Sequence, residues 1–239
     1  DMELVYEGKA KRMYRRSDGL YLMVFKDEVT AGDGARRDPA PGKGALAAEL
    51  SALLLRYLED RGVRTHLVAY EPPNALVVKP AQVIPLEVIV RFKTYGSQLK
   101  RMPALKPLQQ LRRPLVELHY KDDKLHDPLV LEEDVVEAGI VEEGELAYIK
   151  AKALEAAQAL RELYAKAGCD FLDVKFEFGR TPQGILLVDE ISGDTFRLIC
   201  GGEHLDKEYY RRTGDAAGLV ERYKEMLEKT RRLVQLPSP

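Results

Sequence analysis

The chain has 239 residues, 32% of them charged, with a formal net charge of −2, so it can bury a sizeable core and carries no global basic field to draw nucleic acid. Its acids and bases are interspersed, as on a solvated surface, and no apolar run approaches the roughly 18 residues that span a bilayer. Cys169 and Cys200 are the only cysteines, too few and too isolated for a disulfide framework or a zinc site. With no apolar signal-peptide core at the start, a reducing, cytoplasmic setting is the expectation. Asn74 is the only asparagine while Glu, Arg and Leu abound, a bias of the kind seen in thermophiles.

In chain order, Leu4–Tyr6, Ala10–Tyr14 and Leu20–Phe25 read as short strands. Glu7-Gly8-Lys9 and the hairpin-type turn Arg16-Ser17-Asp18-Gly19 separate them. A helix is predicted from Gly44 to Arg61, with Leu46, Leu50, Leu53, Leu54, Tyr57 and Leu58 as its apolar stripe and Gly62 as its stop. Val63–Ala69, Ala75–Lys79 and Leu86–Phe92 return to strand composition, and Lys79-Pro80 marks a hinge. Residues 93–135 are mixed and punctuated by proline, without a clear period. A strong helix follows from Glu142 to Ala167, with Leu146, Ile149, Ala153, Ala156, Leu160 and Leu163 inward. A last helical pattern spans Leu219–Leu233, and there are no internal repeats.

The segment between those two helices carries the chemistry. In Asp173–Phe178 the charged residues Asp173, Lys175 and Glu177 alternate with Val174, Phe176 and Phe178. Period two puts the charges on one face of a strand and the apolar groups in a core. After a Thr-Pro-Gln-Gly turn the apolar run Ile185–Val188 reads as a buried central strand, and it ends in Asp189-Glu190. Acids and a lysine converging at the mouth of buried strands are costly unless paired or holding a metal, and the mixture suits Mg²⁺ and phosphate.

Three further constellations add to this. Tyr6–Lys11 is a glycine turn with Lys9 and Lys11 at alternate positions, able to bracket phosphates; alone, it is as readily a basic surface hairpin. In Ala31–Arg36, Gly32 and Gly34 flank Asp33, so its carboxylate sits on a conformationally free loop or an ordinary Asp-Gly turn. In Pro85–Arg91 followed by Tyr95-Gly96-Ser97, Arg91 emerges beside a Gly-Ser turn, a set suited to a phosphomonoester. A structural salt bridge of Glu87 with a nearby base is the competing explanation. His66, His119, His126 and His204 show no metal-ligand spacing and read as structural or surface residues.

Taken together, YEGKAKRMY at 6–14, AGDGAR at 31–36, PLEVIVR and YGSQLKR within 85–101, HDPLV at 126–130, and DVKFEFG with LLVDEISGDTFRL within 173–198 resemble the SAICAR synthetase family, also called phosphoribosylaminoimidazole-succinocarboxamide synthase. The motifs occur in family order over nearly the full length. Phe92, Gly193 and Ile199-Cys200 depart from the usual pattern at motif edges.

The resemblance implies an α+β fold of two lobes, a strand-rich one over residues 1–79 and a larger sheet-and-helix one over 80–239, with ATP in the cleft between them. It implies an ATP-dependent ligase of purine biosynthesis that joins 5-amino-1-(5-phosphoribosyl)imidazole-4-carboxylate to L-aspartate through an acyl phosphate. Lys9 and Lys11 are then expected at the nucleotide phosphates, and Val78, Lys79 and Val83 along the adenine pocket. Glu177 and Asp189 are the expected Mg²⁺ ligands, provided the hairpin register brings them together. Lys175 is expected to neutralise the transferring phosphoryl group, and Asp173 to accept a proton from the amine. Arg91, Ser97 and Arg197 should hold the ribotide's phosphate or carboxylate, with Asp33 and Asp194 at its ribose or amino groups. Relatives in the family are often dimers, so a homodimer is one expectation; neither membrane nor nucleic acid is an expected partner. A small-molecule kinase with the same ATP layout, or a non-catalytic nucleotide-binding module, are the alternatives. The kinase would not explain the second anion site around Arg91, Ser97 and Arg197, and the retained acidic and basic groups count against the module.

Overall fold

The computed structural model describes residues 2–235. Its first half contains strands β1 (Glu3–Glu7), β2 (Lys11–Arg15), β3 (Tyr21–Phe25), β4 (Glu28–Ala31) and β5 (Arg36–Pro39), then helix α1 (Lys43–Glu59), and strands β6 (Leu67–Glu71) and β7 (Ala75–Val78). Next come β8 (Gln82–Val83), β9 (Leu86–Lys93), the short helix α2 (Ser97–Arg101), β10 (Gln110–Tyr120), β11 (Leu129–Val130) and helices α3 (Glu132–Glu137) and α4 (Glu143–Ala165). The chain closes with β12 (Asp170–Thr181), β13 (Gly184–Val188), β14 (Phe196–Cys200), β15 (Glu203–His204), α5 (Glu208–Thr213) and α6 (Ala216–Val234).

These elements make an α+β architecture around two antiparallel sheets. The five-stranded sheet runs β1-β2-β3-β7-β6 and the eight-stranded one β11-β10-β9-β12-β14-β15, with β8 and β13 pairing the far end of β12. Helix α4 packs on β12 and β9, while α1 packs on β3 and β6 and also on α6. The expected inward residues of α4, from Leu146 to Leu163, are all buried. Its start is set by a reciprocal cap in which Glu142 N–H donates to the Glu145 carboxylate at 3.0 Å. In α1, Leu50, Leu54 and Leu58 are buried as the stripe requires, with Leu46 and Leu53 packed at the edge of the core. Gly44 is obligatory there, since a Cβ would lie 2.5 Å from the Phe25 carbonyl oxygen.

Four readings of the sequence are corrected. The Ile185–Val188 run is buried but not central: β13 pairs only β12, and its outer edge is closed by Arg64–His66 through a parallel bridge between Thr65 and Leu187. For the same reason Val63–Ala69 is not one strand, and regular pairing begins at Leu67. The irregular stretch hides the eleven-residue strand β10, whose Pro114 sits within a register irregularity between Gln110 and Leu115, where a missing N–H costs no ladder bond. Cys169 and Cys200 are joined as a disulfide across the start of β12 and the end of β14, a pairing that antiparallel neighbours 31 residues apart in sequence make available and that spacing alone does not announce.

The unusual residues at motif edges also find reasons. Phe92 is buried against Phe171 with Arg161 over its ring at 4.6 Å. Gly193 lies beneath Tyr223, where any Cβ would come within 2.4 Å of the ring.

Candidate active site

Strand β12 organises the site. Its buried centre pairs with β9, Lys175 opposite Ile89 and Asp173 opposite Arg91, while its far end pairs with β13, Glu177 opposite Val188. Regular alternation would send Asp189 away from Glu177. Instead Asp189 adopts φ 67°, a left-handed turn that costs a non-glycine residue energy and swings its carboxylate back over the strand. Both carboxylates then reach Lys175, whose Nζ lies 3.1 Å from Glu177 Oε2, 3.9 Å from Asp189 Oδ2 and 3.6 Å from Glu87 Oε2. The Glu87 salt bridge weighed from sequence is thus present, with Lys175 as its base.

Lys121, which the sequence did not single out, follows the hidden strand β10 and donates to Glu177 Oε1 at 2.6 Å, while Glu190, the last acid of the Asp189-Glu190 pair, accepts from Lys11 at 2.5 Å. Lys11 also lies 3.1 Å from Asp189 Oδ1. Burial opposes ionisation of Asp189, but Lys11, Lys175 and Lys121 together overcome it and hold the carboxyl well below its usual range. Burial likewise works against the Lys175 ammonium, yet Glu177, Asp189 and Glu87 keep it charged far above the ordinary lysine range. Beneath them, burial pushes His66 down to about 4. Its neutral ring places Nε2 3.1 Å from the Asp189 carbonyl oxygen, as the donor that fixes the turned backbone.

A cleft of about 660 Å³ opens over these groups, lined also by Gly8, Lys9, Thr30, Arg37, Asp194 and Lys207. Beside it an apolar recess of about 510 Å³ is walled by Met13, Met23, Val78, Lys79, Ala81, Val83 and Val188, a size and lining suited to a flat heteroaromatic ring. The Lys79 N–H is spent on the His66 carbonyl at 2.8 Å.

The residues expected at the second anion site are also brought together. Arg91 is 2% exposed, and its guanidinium donates to Glu117 at 2.5 Å, the Tyr95 carbonyl at 3.1 Å, Asp173 at 3.4 Å and Ser97 Oγ at 3.4 Å. Arg197 donates to the same Asp173 oxygen at 3.0 Å and stacks over Tyr95. Gly96, at φ 61°, leaves room for Arg197 Nη2, which a Cβ would meet at 2.7 Å. Burial would raise the Glu117 carboxyl, but hydrogen bonds from His119, Arg91 and Arg101 hold it well below its usual range. Asp173 is raised by its burial despite Arg197 and Arg91.

Of the remaining expected residues, Asp33 lies outside the cleft lining and Asp194 within it. Asp33 is exposed on its glycine loop and pairs with His126 at 2.9 Å, joining two loops. Asp194 is bound by Lys43 at 2.7 Å and by Tyr223 at 2.5 Å. Lys43 is 2% exposed, a buried lysine in the first turn of α1 that helix periodicity gave no cause to pick out. Among the described residues there is no group of three or more His, Cys, Asp or Glu able to hold a metal ion.

A sequence profile described as SAICAR synthetase matches residues 4–230. The chain belongs to the SAICAR synthetase family. Among its relatives, the phosphoribosylaminoimidazole-succinocarboxamide synthase of Pyrobaculum calidifontis is 71% identical over 96% of this chain and 95% of its own length. Among solved structures, a SAICAR synthetase in complex with ADP superposes with a TM-score of 0.90 at 39% identity, covering 95% of this chain and 97% of that one. The phosphoribosylaminoimidazole-succinocarboxamide synthase of Ehrlichia chaffeensis gives 0.91 at 33% identity over 99% and 100%. SAICAR synthetase membership favours the ligase reading over the kinase and the non-catalytic module. Among the described residues, no helix is long and apolar enough to cross a membrane.

Proposed function

We propose that the chain catalyses the ATP-dependent ligation of 5-amino-1-(5-phosphoribosyl)imidazole-4-carboxylate to L-aspartate in purine biosynthesis, giving the succinocarboxamide ribotide, ADP and phosphate. The observation that carries this reading is that β12 carries two charged clusters at once. Lys175 and Glu177 face the cleft, while Asp173, two residues earlier, ties Arg91 to Arg197. A phosphoryl donor and a phosphorylated acceptor can therefore be held side by side on one rigid strand, which is what positioning catalysis needs.

A carboxylate resists attack by an amine because its charge and its poor leaving group both oppose addition. Phosphorylation by ATP gives an acyl phosphate that the amine can attack. The C–N bond forms, the C–O bond to the phosphoryl group breaks, phosphate leaves with the electron pair, and the nitrogen sheds a proton. Lys9 and Lys11 border the cleft beside Gly8 and are assigned to the nucleotide phosphates. Val78, Lys79 and Val83 border the adjoining recess and are assigned to adenine. Lys175 acts as a fixed cation at the transferring phosphoryl group. Glu177 and Asp189 suit Mg²⁺, a hard cation that is commonly held by one or two carboxylates with phosphate oxygens completing its shell. When bound, it neutralises phosphate charge.

Arg91, Ser97 and Arg197 are assigned to the ribotide, with Asp33 and Asp194 at its ribose or amino groups. Asp173 is buried between two guanidinia, a place that suits a residue orienting them better than one taking a proton from the amine. Lys79-Pro80 is the proposed hinge between the two lobes, and a cytoplasmic, homodimeric enzyme completes the reading. The deciding experiment is phosphate release from ATP and Mg²⁺ with the ribotide, with and without L-aspartate, and product mass read on the same sample. Aspartate-dependent release with a succinocarboxamide product is expected; ribotide-independent hydrolysis alone would overturn the reading.

A further inference from the structure

We propose that His119 is a positioning residue that works as an imidazolium. One N–H holds the Glu117 carboxylate that aims Arg91, the other holds the turn at Asp127 that borders the cleft, and the bridge is lost when the ring gives up a proton; this rests on the ligase reading, which assigns Arg91 to the ribotide. Glu117 and His119 stand two apart on β10, so they share one face. Their cross-strand partners on β9 are Ile89 and Glu87. His119 Nε2 lies 2.7 Å from Glu117 Oε2, and Nδ1 lies 2.9 Å from the Asp127 carbonyl oxygen.

Neither of those oxygens can donate. The carbonyl only accepts, and Glu117, which takes Arg91 at 2.5 Å and Arg101 at 2.8 Å on Oε1, is held ionised well below the usual carboxyl range. A neutral imidazole has a single N–H and would turn a lone pair on one of the two. Only the doubly protonated ring satisfies both. The surrounding charges agree. Glu87 faces the ring from β9 and lies 3.6 Å from Lys175 of β12, while Lys121, next along the same face, is paired with Glu177. On β11 the opposite residue is the uncharged Leu129, and Leu118, on the other face of β10, joins the core with α4. Burial opposes the charge on the ring. Hydrogen bonds to Glu117 and the Asp127 carbonyl, then the charges of Glu117 and Glu87, outweigh it and raise the ring above the ordinary histidine value.

The turn needs an outside hold. His126 at φ 58° and Asp127 at φ 47° are successive left-handed residues without being glycines, a costly pair. The Asp127 carboxylate accepts the Asp122 N–H at 2.8 Å. Its carbonyl, fixed by His119, therefore sets where this segment puts Lys121, Asp123 and Asp127 in the cleft lining. A ring that loses one proton keeps the charge-assisted bond to Glu117, the stronger of the two, and releases the carbonyl. Because the folded-state value is raised, the bridge is complete below the unfolded value near 6.5 and is lost as pH rises through the folded one. A ribotide held at Arg91 must present its carboxylate to the cleft, so its binding reads both ends of the bridge.

The test uses the full chain with ¹⁵N-labelled histidines, wild type beside His119→Gln, which carries no charge at any pH. The His119 signal is told from those of the other three histidines by its absence from the variant. At pH 6 the wild-type ring is expected to show two protonated nitrogens and to lose one only above pH 6.5. The ribotide KM of His119→Gln should exceed that of wild type about tenfold at pH 6, the worth of a hydrogen bond to a charged group. That ratio should fall towards one as pH rises through the titration seen in the spectra, with the ATP KM unchanged; taking a ratio at each pH cancels the ionisation of the substrates. Melting temperatures check that the variant folds, and the wild-type spectrum stands without it. One bare nitrogen on the wild-type ring at pH 6 would overturn the proposal, as would a KM ratio near one or one that ignores pH. Wild-type protein with no ribotide-dependent turnover would overturn the ligase reading instead, while the protonation of the ring still decides the bridge.

Discussion

At the scale of single residues, the site is a lattice of opposite charges in which each group sets the state of the next. Lys175 meets three carboxylates, which hold its ammonium charged far above the ordinary lysine range. In the proposed role it is a fixed positive pole and not a proton donor. Lys175→Met should lower kcat by about 10²- to 10³-fold, as loss of a preorganised charge does, without adding or removing a limb in the pH–rate profile. Asp189 is held ionised by three lysines, so it is ready to ligate a cation at neutral pH. Asp189→Asn should raise the Mg²⁺ concentration needed for half-maximal rate by at least about tenfold, and titration of activity against Mg²⁺ after chelation checks this.

At the scale of elements, close approaches decide where substrates can be held. Gly96, with φ 61°, precedes α2 and lets Arg197 occupy the space that a Cβ would fill. Gly96→Ala should cost about 1 kcal/mol or more from the left-handed backbone alone and push Arg197 off Asp173. The ribotide KM should then rise while the ATP KM stays near wild type, and steady-state kinetics separates the two.

Helix α4 offers a pH-dependent case. Hydrogen bonds from Arg180, then from the Glu142 N–H, lower the Glu145 carboxyl to about 2. A carboxyl depressed in the folded state stabilises above its unfolded value near 4.5 and loses that contribution as pH falls towards 2. The Tm gap between wild type and Glu145→Gln should accordingly be full at pH 6 and close on acidification, as read by calorimetry across that range.

At the scale of the whole molecule, the Cys169–Cys200 disulfide closes a loop with a sequence separation of 31 and staples β12 to β14 just beyond Asp173 and Arg197. Loop-closure entropy for that length is worth about 3 to 4 kcal/mol. Cys200→Ser, or full reduction, should lower Tm by roughly 10 °C in a chain of this size, and calorimetry with and without reductant measures it. A stable disulfide in a biosynthetic enzyme fits the thermophile-like composition, since intracellular disulfides persist in hyperthermophiles.

Local period and turn chemistry were enough to place α1, α4, α6 and the first three strands, because each helix buries one face and the strands are bounded by glycine and charged turns. The same alternation exposed Asp173, Lys175 and Glu177, and the Gly-Ser turn exposed Arg91 and Ser97. Partners that no local period encodes remained hidden. Glu117 lies on a strand disguised by Pro114 and Lys121 just after it, Lys43 and Lys207 sit at the starts of helices, and the cysteines meet only through strand pairing. The meeting of Asp189 with Glu177 depends on one left-handed residue held by a buried histidine, and only the packed tertiary structure supplies the constraint that keeps it there.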